Sequence, residues 1–201
     1  FSYKISRIIK HCRYPKNGIV GQYIFKMYLC AMPMESYLKK LHHIKAFVFD
    51  VDGVFTNNQL IALESGDLVR SFNAKDGFAL KTTIEKGYKV CIITGGTSAA
   101  VHKRFEMLGV KHNYFRVSDK LSVLKSFLET ENLLPENVLY IGDDILDYHA
   151  MNYCGIKCCP KDAVPEIINI ADYVCRNKGG DACVREVIEM VLKSQNNWFT
   201  F

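Results

Sequence analysis

From residue 44 onward the apolar and polar positions follow a clear rhythm. Three short runs, IKAFVFDV at 44–51, KVCIITGG at 89–96 and ENVLYIGDD at 136–144, are apolar through their middles. Each ends in acids or in threonine and glycines. Runs this short, with no polar face, read as parallel strands covered on both sides. Helical patterns lie beside them at 77–86, 97–108, 120–131 and 145–152, with Pro135 closing the third gap between strands. Alternation of this kind predicts an α/β fold, a doubly wound and mostly parallel sheet with right-handed crossovers.

Residues 58–72 interrupt the rhythm. NQLIALESGDLVRSF carries two alternating segments around Glu64-Ser65-Gly66-Asp67, the pattern of a β-hairpin. It follows the first strand directly, so it should stand at the carboxyl edge of the sheet as a flap. No insertion is long enough for a large cap domain. The tail adds a short strand near Tyr173-Val174, a Gly179-Gly180 pair and a last helix at 181–194.

Composition narrows the reading. The length of 201 residues suits one principal domain, taken as 34–201. Residues 1–33 are basic and aromatic and contain no Asp or Glu. They read as an N-terminal extension, with a membrane-surface or partner-binding arm as the sharper alternative. The net charge of +5 comes without a dense Lys/Arg block, which argues against nucleic acid. No stretch reaches the ~18 apolar residues needed to span a bilayer. Eight cysteines without a paired C-x-x-C pattern point to a reduced, cytoplasmic protein that uses cysteine as a small hydrophobe. His42, His43, His102, His112 and His149 have no ligand spacing.

The candidate chemistry lies at the strand ends, where open α/β sheets bind ligands. Asp50 and Asp52 follow the first run, Thr94 and Gly95 the second, and Asp143, Asp144 and Asp147 the third. Two carboxylates ~4 Å apart repel by about 4 kcal/mol at an effective dielectric near 20. A hard cation such as Mg²⁺, bound through oxygens, relieves that repulsion. Lys120, opening a helix after FRVSD, can supply a second positive charge. This set suits phosphoryl transfer. Asp50 is the candidate nucleophile and Asp52 the candidate acid and base, with Thr94 and Gly95 holding phosphoryl oxygens. Asp144 and Asp147 can equally be acids favoured at a helix N-terminus.

D-V-D-G-V-F-T at 50–56, Thr94, Lys120 and G-D-D-I-L-D at 142–147 resemble, in order and spacing, the four signatures of the haloacid dehalogenase phosphatases. F-N-A-K-D-G at 72–77, R-F-E-M-L-G-V at 104–110 and A-D-Y-V-C-R-N-K-G-G-D-A-C-V-R-E-V at 171–187 narrow the resemblance. They are similar to the 3-deoxy-D-manno-octulosonate 8-phosphate phosphatase family, over residues 44–194. The resemblance implies a Rossmann-like phosphatase without a cap domain, acting on a phosphorylated sugar acid in lipopolysaccharide precursor synthesis. It implies Mg²⁺ held by Asp50, the Asp52 carbonyl and Asp143, with Asp144 and Asp147 behind them. It assigns substrate contacts to Asp52, Asn73, Lys75, Asp76, Gly77, Lys81, Gly95, Arg104 and Lys120. It further implies a homotetramer in which the hairpin helps form the ring and a C-terminal segment closes the neighbouring site. On that basis, removing everything after Asn177 should lower turnover without unfolding the core.

Two positions depart from the family pattern. Gly96 stands where the family usually has arginine, and Tyr114-Phe115-Arg116 replaces Tyr-Gln-Gly. These keep open a related substrate, a nonulosonate 9-phosphate of the sialic acid type. A phospho-accepting receiver domain would place its aspartate after the third strand and lacks the D-x-D pair. A non-catalytic oligomerising relative would not need Asp50, Asp52, Lys120 and Asp143 together.

Overall fold

The structure, a computed structural model, describes residues 34–199. The extension read at 1–33 lies outside the described residues. The main sheet contains β1 (Ala46–Phe49), β4 (Lys89–Ile93), β5 (His112–Tyr114), β6 (Val138–Ile141), β7 (Ile156–Cys159) and β8 (Tyr173–Val174). All its pairings are parallel and the order is β5-β4-β1-β6-β7-β8. The chain winds from β1 outward through β4 to β5, then returns to β6 on the other side of β1. The switch point therefore falls at the carboxyl ends of β1 and β6, where Asp50 and Asp143 emerge.

β1 accounts for the two layers that flank the sheet. Phe47 and Phe49 face one cluster, Ala46 and Val48 the other, and all four are fully buried. Helices α2 (Ala74–Glu85), α3 (Ala99–Met107) and α7 (Cys183–Ser194) cover the first face through Leu80, Phe105 and Val187. Helices α4 (Lys120–Glu131), α5 (Tyr148–Tyr153) and α6 (Pro165–Ile170) cover the second through Leu124, Met151 and Ile167. Helix α1 (Met34–Lys40) precedes β1. The doubly wound parallel sheet expected from the sequence is the fold observed.

The hairpin is β2 (Ile61–Ala62) paired antiparallel with β3 (Leu68–Val69). Leu60, Ile61, Leu63, Leu68 and Val69 are all exposed. The helix expected at 145–152 is divided: a 3₁₀ turn, Ile145–Asp147, precedes α5.

One expectation is corrected. The residues after Asn177 cannot be removed without opening the core. Val184, Val187, Ile188, Val191 and Leu192 of α7 are fully buried in the core beside α2 and β1. The Gly179-Gly180 turn also docks on its own chain. Gly180 N–H donates to the Val54 carbonyl at 3.0 Å. A Cβ at Gly179 would lie 1.9 Å from the Gly53 carbonyl oxygen, so only glycine permits this approach.

Candidate active site

The loop after β1 begins with Asp50. Its Oδ1 accepts the Val51 N–H at 2.7 Å, and its Oδ2 lies 3.0 Å from Lys120 Nζ. Lys120 opens α4 and is 2 % exposed. Its ammonium also donates to Asp147 Oδ1 at 2.7 Å. Burial alone would lower the Lys120 pKa, but Asp147 and Asp50 more than reverse that and hold it charged.

Asp50, Asp143 and Asp147 each bring a carboxylate oxygen within 4.8 Å of the others. Their bonding separates their capacities. Asp147 Oδ1 accepts from Lys120 and, at 2.8 Å, from the Tyr140 hydroxyl. Its Oδ2 accepts the N–H groups of Asp143 and Asp144 at 3.2 and 3.4 Å. Four accepted bonds occupy the lone-pair sites of a carboxylate, so Asp147 orients Lys120 and the loop. Asp143 differs. Its Oδ2 accepts from Asn58 Nδ2 at 2.8 Å, while its buried Oδ1 has no partner. Gly53, with φ of +84°, permits the approach, since a Cβ there would lie 1.9 Å from Asp143 Oδ2.

Burial and the Asp147 charge push the Asp50 pKa well up, and Lys120 and the Val51 N–H only partly offset them. Burial likewise raises Asp143, to about 6, against the Asn58 hydrogen bond. Two buried carboxyls favouring protonation, one with an orphaned oxygen, are what a divalent cation with oxygen ligands relieves. The donor set fits Mg²⁺.

Asp52 stands to one side, bound by Arg70. Arg70 Nε donates to its Oδ1 at 2.7 Å and Nη2 to its Oδ2 at 2.9 Å. Thr94, buried at the end of β4, accepts the Gly96 N–H on Oγ1 at 3.1 Å. A shallow groove, open to solvent, runs past Asp52, Arg70, Thr94, Gly96 and Phe115. Gly95 lies exposed beside Leu146. Arg116 is exposed and reaches Gly96 through its backbone N–H, at 3.2 Å to the carbonyl.

The remaining sequence candidates are divided. Asn73 caps α2, accepting the Lys75 N–H at 2.9 Å and donating to the Gly180 carbonyl at 3.3 Å. Arg104 lies over Gly77, where a Cβ would come within 2.6 Å of Nη2. Lys75 and Lys81 are exposed, and Lys81 pairs loosely with Glu85 at 3.9 Å. Asp76 is turned inward. It is 1 % exposed, and its Oδ1 accepts the Arg185 N–H at 2.8 Å, so here it caps α7 and does not face the groove. Asp144 also stays apart from the carboxylate group: exposed, it accepts its neighbour Ile145 N–H at 2.7 Å.

Asn58, Arg70 and Tyr140 escaped the sequence reading. Tyr140 had a usable signal, because a hydroxyl inside a fully apolar run must find a partner. The six cysteines among the described residues, Cys91, Cys154, Cys158, Cys159, Cys175 and Cys183, are free and buried, as small hydrophobes are.

Residues 114–187 match the family model described as haloacid dehalogenase-like hydrolase. The chain is 35% identical over 158 residues to 3-deoxy-D-manno-octulosonate 8-phosphate phosphatase KdsC of Escherichia coli strain K12, covering 79% of this chain and 84% of that one. It is similar to the crystal structure of the Moraxella catarrhalis 3-deoxy-D-manno-octulosonate 8-phosphate phosphatase in complex with magnesium, phosphate and KDO. The TM-score is 0.79 at 34% identity, over 82% of this chain and 94% of that one. The cobalt-bound Haemophilus influenzae phosphatase gives a TM-score of 0.76 at 30% identity, over 78% and 92% of the two chains. By this identity across most of both chains, the protein belongs to the 3-deoxy-D-manno-octulosonate 8-phosphate phosphatase family of haloacid dehalogenase-like hydrolases.

Proposed function

We propose that the chain hydrolyses the phosphate monoester of 3-deoxy-D-manno-octulosonate 8-phosphate, giving the free sugar acid and phosphate. The observation that carries this reading is the Asp50–Lys120–Asp147 arrangement beside Asp143, whose buried Oδ1 has no partner. Asp50 and Asp143, with the Asp52 carbonyl, would hold Mg²⁺, which when bound would neutralise phosphoryl charge.

Asp50 attacks phosphorus and the phosphorus–oxygen bond to the sugar breaks, leaving an aspartyl-phosphate. Asp52 gives its proton to the departing sugar oxygen, so the alcohol leaves neutral. Asp52 then takes a proton from water, whose oxygen attacks phosphorus and releases phosphate from Asp50. Lys120 holds Asp50 in place and offers positive charge to the phosphoryl oxygens, and Asp147 and Tyr140 fix Lys120. Thr94 and Gly95 are proposed to hold phosphoryl oxygens, and Asn73, Lys75, Gly77, Lys81 and Arg104 are proposed for the sugar acid.

The exposed apolar hairpin supports association with further copies of the chain, because a lone two-stranded hairpin has little stability of its own; the count of four, a homotetramer, rests on the resemblance. With α7 buried in its own core, a C-terminal segment that closes a neighbouring site is proposed to lie beyond α7. A cytoplasmic location accords with the free cysteines; among the described residues no helix is long and apolar enough to cross a membrane.

The test is phosphate release with Mg²⁺ from the octulosonate 8-phosphate, run beside nonulosonate 9-phosphates and common sugar phosphates. Preference for a nonulosonate would keep the chemistry and reject this substrate. Asp50→Asn should lower kcat by at least about 10⁴-fold while the thermal melt stays cooperative. Turnover near wild type in that variant would reject the nucleophile.

A further inference from the structure

Arg70 belongs to none of the sequence motifs, yet it is the cation bound to the proposed proton donor. It leaves the hairpin directly after β3, and its side chain is 5 % exposed. Nε and Nη2 form a bidentate pair with Asp52, at 2.7 and 2.9 Å, the geometry in which a guanidinium fixes both oxygens of a carboxylate. Nη1 donates to the Leu68 carbonyl at 3.1 Å, tying the guanidinium to the second strand of the hairpin. Asp52 receives one further bond, from Thr56 Oγ1 at 3.3 Å.

Gly96 completes the arrangement. A Cβ at that position would stand 3.1 Å from Asp52 Oδ2 and 3.3 Å from Arg70 Nη2. Both distances are tighter than ordinary van der Waals contact, so any side chain at 96 would press on the pair. The bare backbone leaves Arg70 and Asp52 their places and keeps that flank of Oδ2 open to the groove.

We propose that Arg70 is the positioning residue for the leaving-group step, and that Gly96 is the residue that gives it room. Resting on Asp52 as the general acid, the proposal assigns Arg70 no contact with the substrate. Arg70 holds the acid at the reach from which its proton passes to the ester oxygen as the phosphorus–oxygen bond breaks. The alcohol departs neutral and the Asp52 carboxylate remains on the two guanidinium N–H groups. Because Arg70 is bonded to the Leu68 carbonyl, the seating of the hairpin sets the position of the proton donor.

The experiment measures kcat/KM with Mg²⁺ for a series of substituted phenyl phosphates of graded phenol acidity. These esters share one shape, and kcat/KM ends at alcohol release, so the common breakdown of the aspartyl-phosphate is excluded. A well-placed acid makes the rate depend weakly on leaving-group acidity. Arg70→Met should make that dependence steep, as Asp52→Asn does. The loss should be about a hundredfold for the least acidic phenol and at most about threefold for the most acidic, where protonation matters little. Gly96→Ala should shift the dependence in the same sense by less, and Arg70→Lys should recover part of it, since an ammonium cannot form the fork. A uniform loss across the series in Arg70→Met, or a slope unchanged from wild type, overturns the proposal. If Arg70→Met does not fold, the slopes of Arg70→Lys and Gly96→Ala decide in the same way. A wild-type slope in Asp52→Asn would reject the general-acid reading itself, a failure distinct from a steep Asp52→Asn slope beside a shallow Arg70→Met one.

Discussion

Cutting the chain after Asn177 tests the role of its C-terminal part most directly. The cut removes α7, whose Val184, Val187, Ile188, Val191 and Leu192 are fully buried. Burying one such side chain contributes about 1.5–3 kcal/mol, so the set amounts to roughly 8–15 kcal/mol. Net stability of a domain is only about 5–15 kcal/mol. The cut also uncovers the partners of α7 on the sheet and leaves Asp76 without the Arg185 N–H that its Oδ1 accepts. Even the lower figure corresponds to a fall in melting temperature of about 16–32 °C for a chain of this length. The assay compares the full chain with chains ending at Asn177 and at Asn197, by thermal melting in circular dichroism and by binding of a hydrophobic dye. The chain ending at Asn197 should melt cooperatively. The chain ending at Asn177 should show no cooperative melt and should bind dye. A cooperative melt of the Asn177 chain within about 10 °C of the full chain would refute the burial argument.

Two further outcomes follow from the carboxylates. Mg²⁺ should raise the melting temperature of the wild type and much less that of Asp143→Asn, which loses a charged ligand; an equal rise would remove Asp143 from the metal site. Asp76 is raised from its ordinary 3.8 to about 6, chiefly by burial, against the N–H bonds from Arg185 and Ala182. The folded chain therefore binds this proton more tightly than the unfolded chain, and the contribution of Asp76 to stability falls as pH rises from about 4 to about 6. Asp76→Asn should flatten that part of the denaturation profile, gaining on the wild type between pH 4 and pH 7 by up to about 3 kcal/mol. An unchanged pH slope would refute it.

Legibility in the sequence followed burial on two faces. β1, β4 and β6 are nearly continuous apolar runs because helices cover both sides of them, and their carboxyl ends carried the acids and Thr94. β5, His-Asn-Tyr, is an edge strand and half-buried, so no apolar run marked it. β7, Ile-Lys-Cys-Cys, places a partly exposed lysine among cysteines and shows neither clean alternation nor a continuous run. Arg70 and Asn58 gave no signal, since a charged or amide residue near a hairpin is ordinarily solvated. Only the return of the hairpin to the sheet edge brings them to Asp52 and Asp143. The C-terminal helix was a different matter. Its apolar residues at 183, 184, 187, 188, 191 and 192 form the stripe of a packed helix. That pattern alone indicates burial, and the expectation that truncation after Asn177 would spare the core overlooked it.

The same helix bears on chemistry without touching it. A carboxylate nucleophile works only if its loop is held before substrate arrives, because displacement of about 1 Å can cost about 10²-fold. The loop from Asp50 to Thr56 is held from two directions. On the sheet side, the Asp50 N–H donates to the Ile141 carbonyl at 3.1 Å, continuing the β1–β6 ladder. On the other side, the Val54 carbonyl accepts from the Gly180 N–H at 3.0 Å and from Cys183 Sγ at 3.2 Å, at the entrance to α7. Asn73 draws in the start of α2 by its bond to the Gly180 carbonyl. The Gly179-Gly180 turn thus joins the nucleophile loop, the first helix after the hairpin and the last helix of the chain. The hairpin in turn holds Asp143 through Asn58 and Asp52 through Arg70. Preorganisation here comes from segments that meet only after the whole sheet is wound, so changes near residue 180 should lower turnover, by up to about 10²-fold, without touching the substrate.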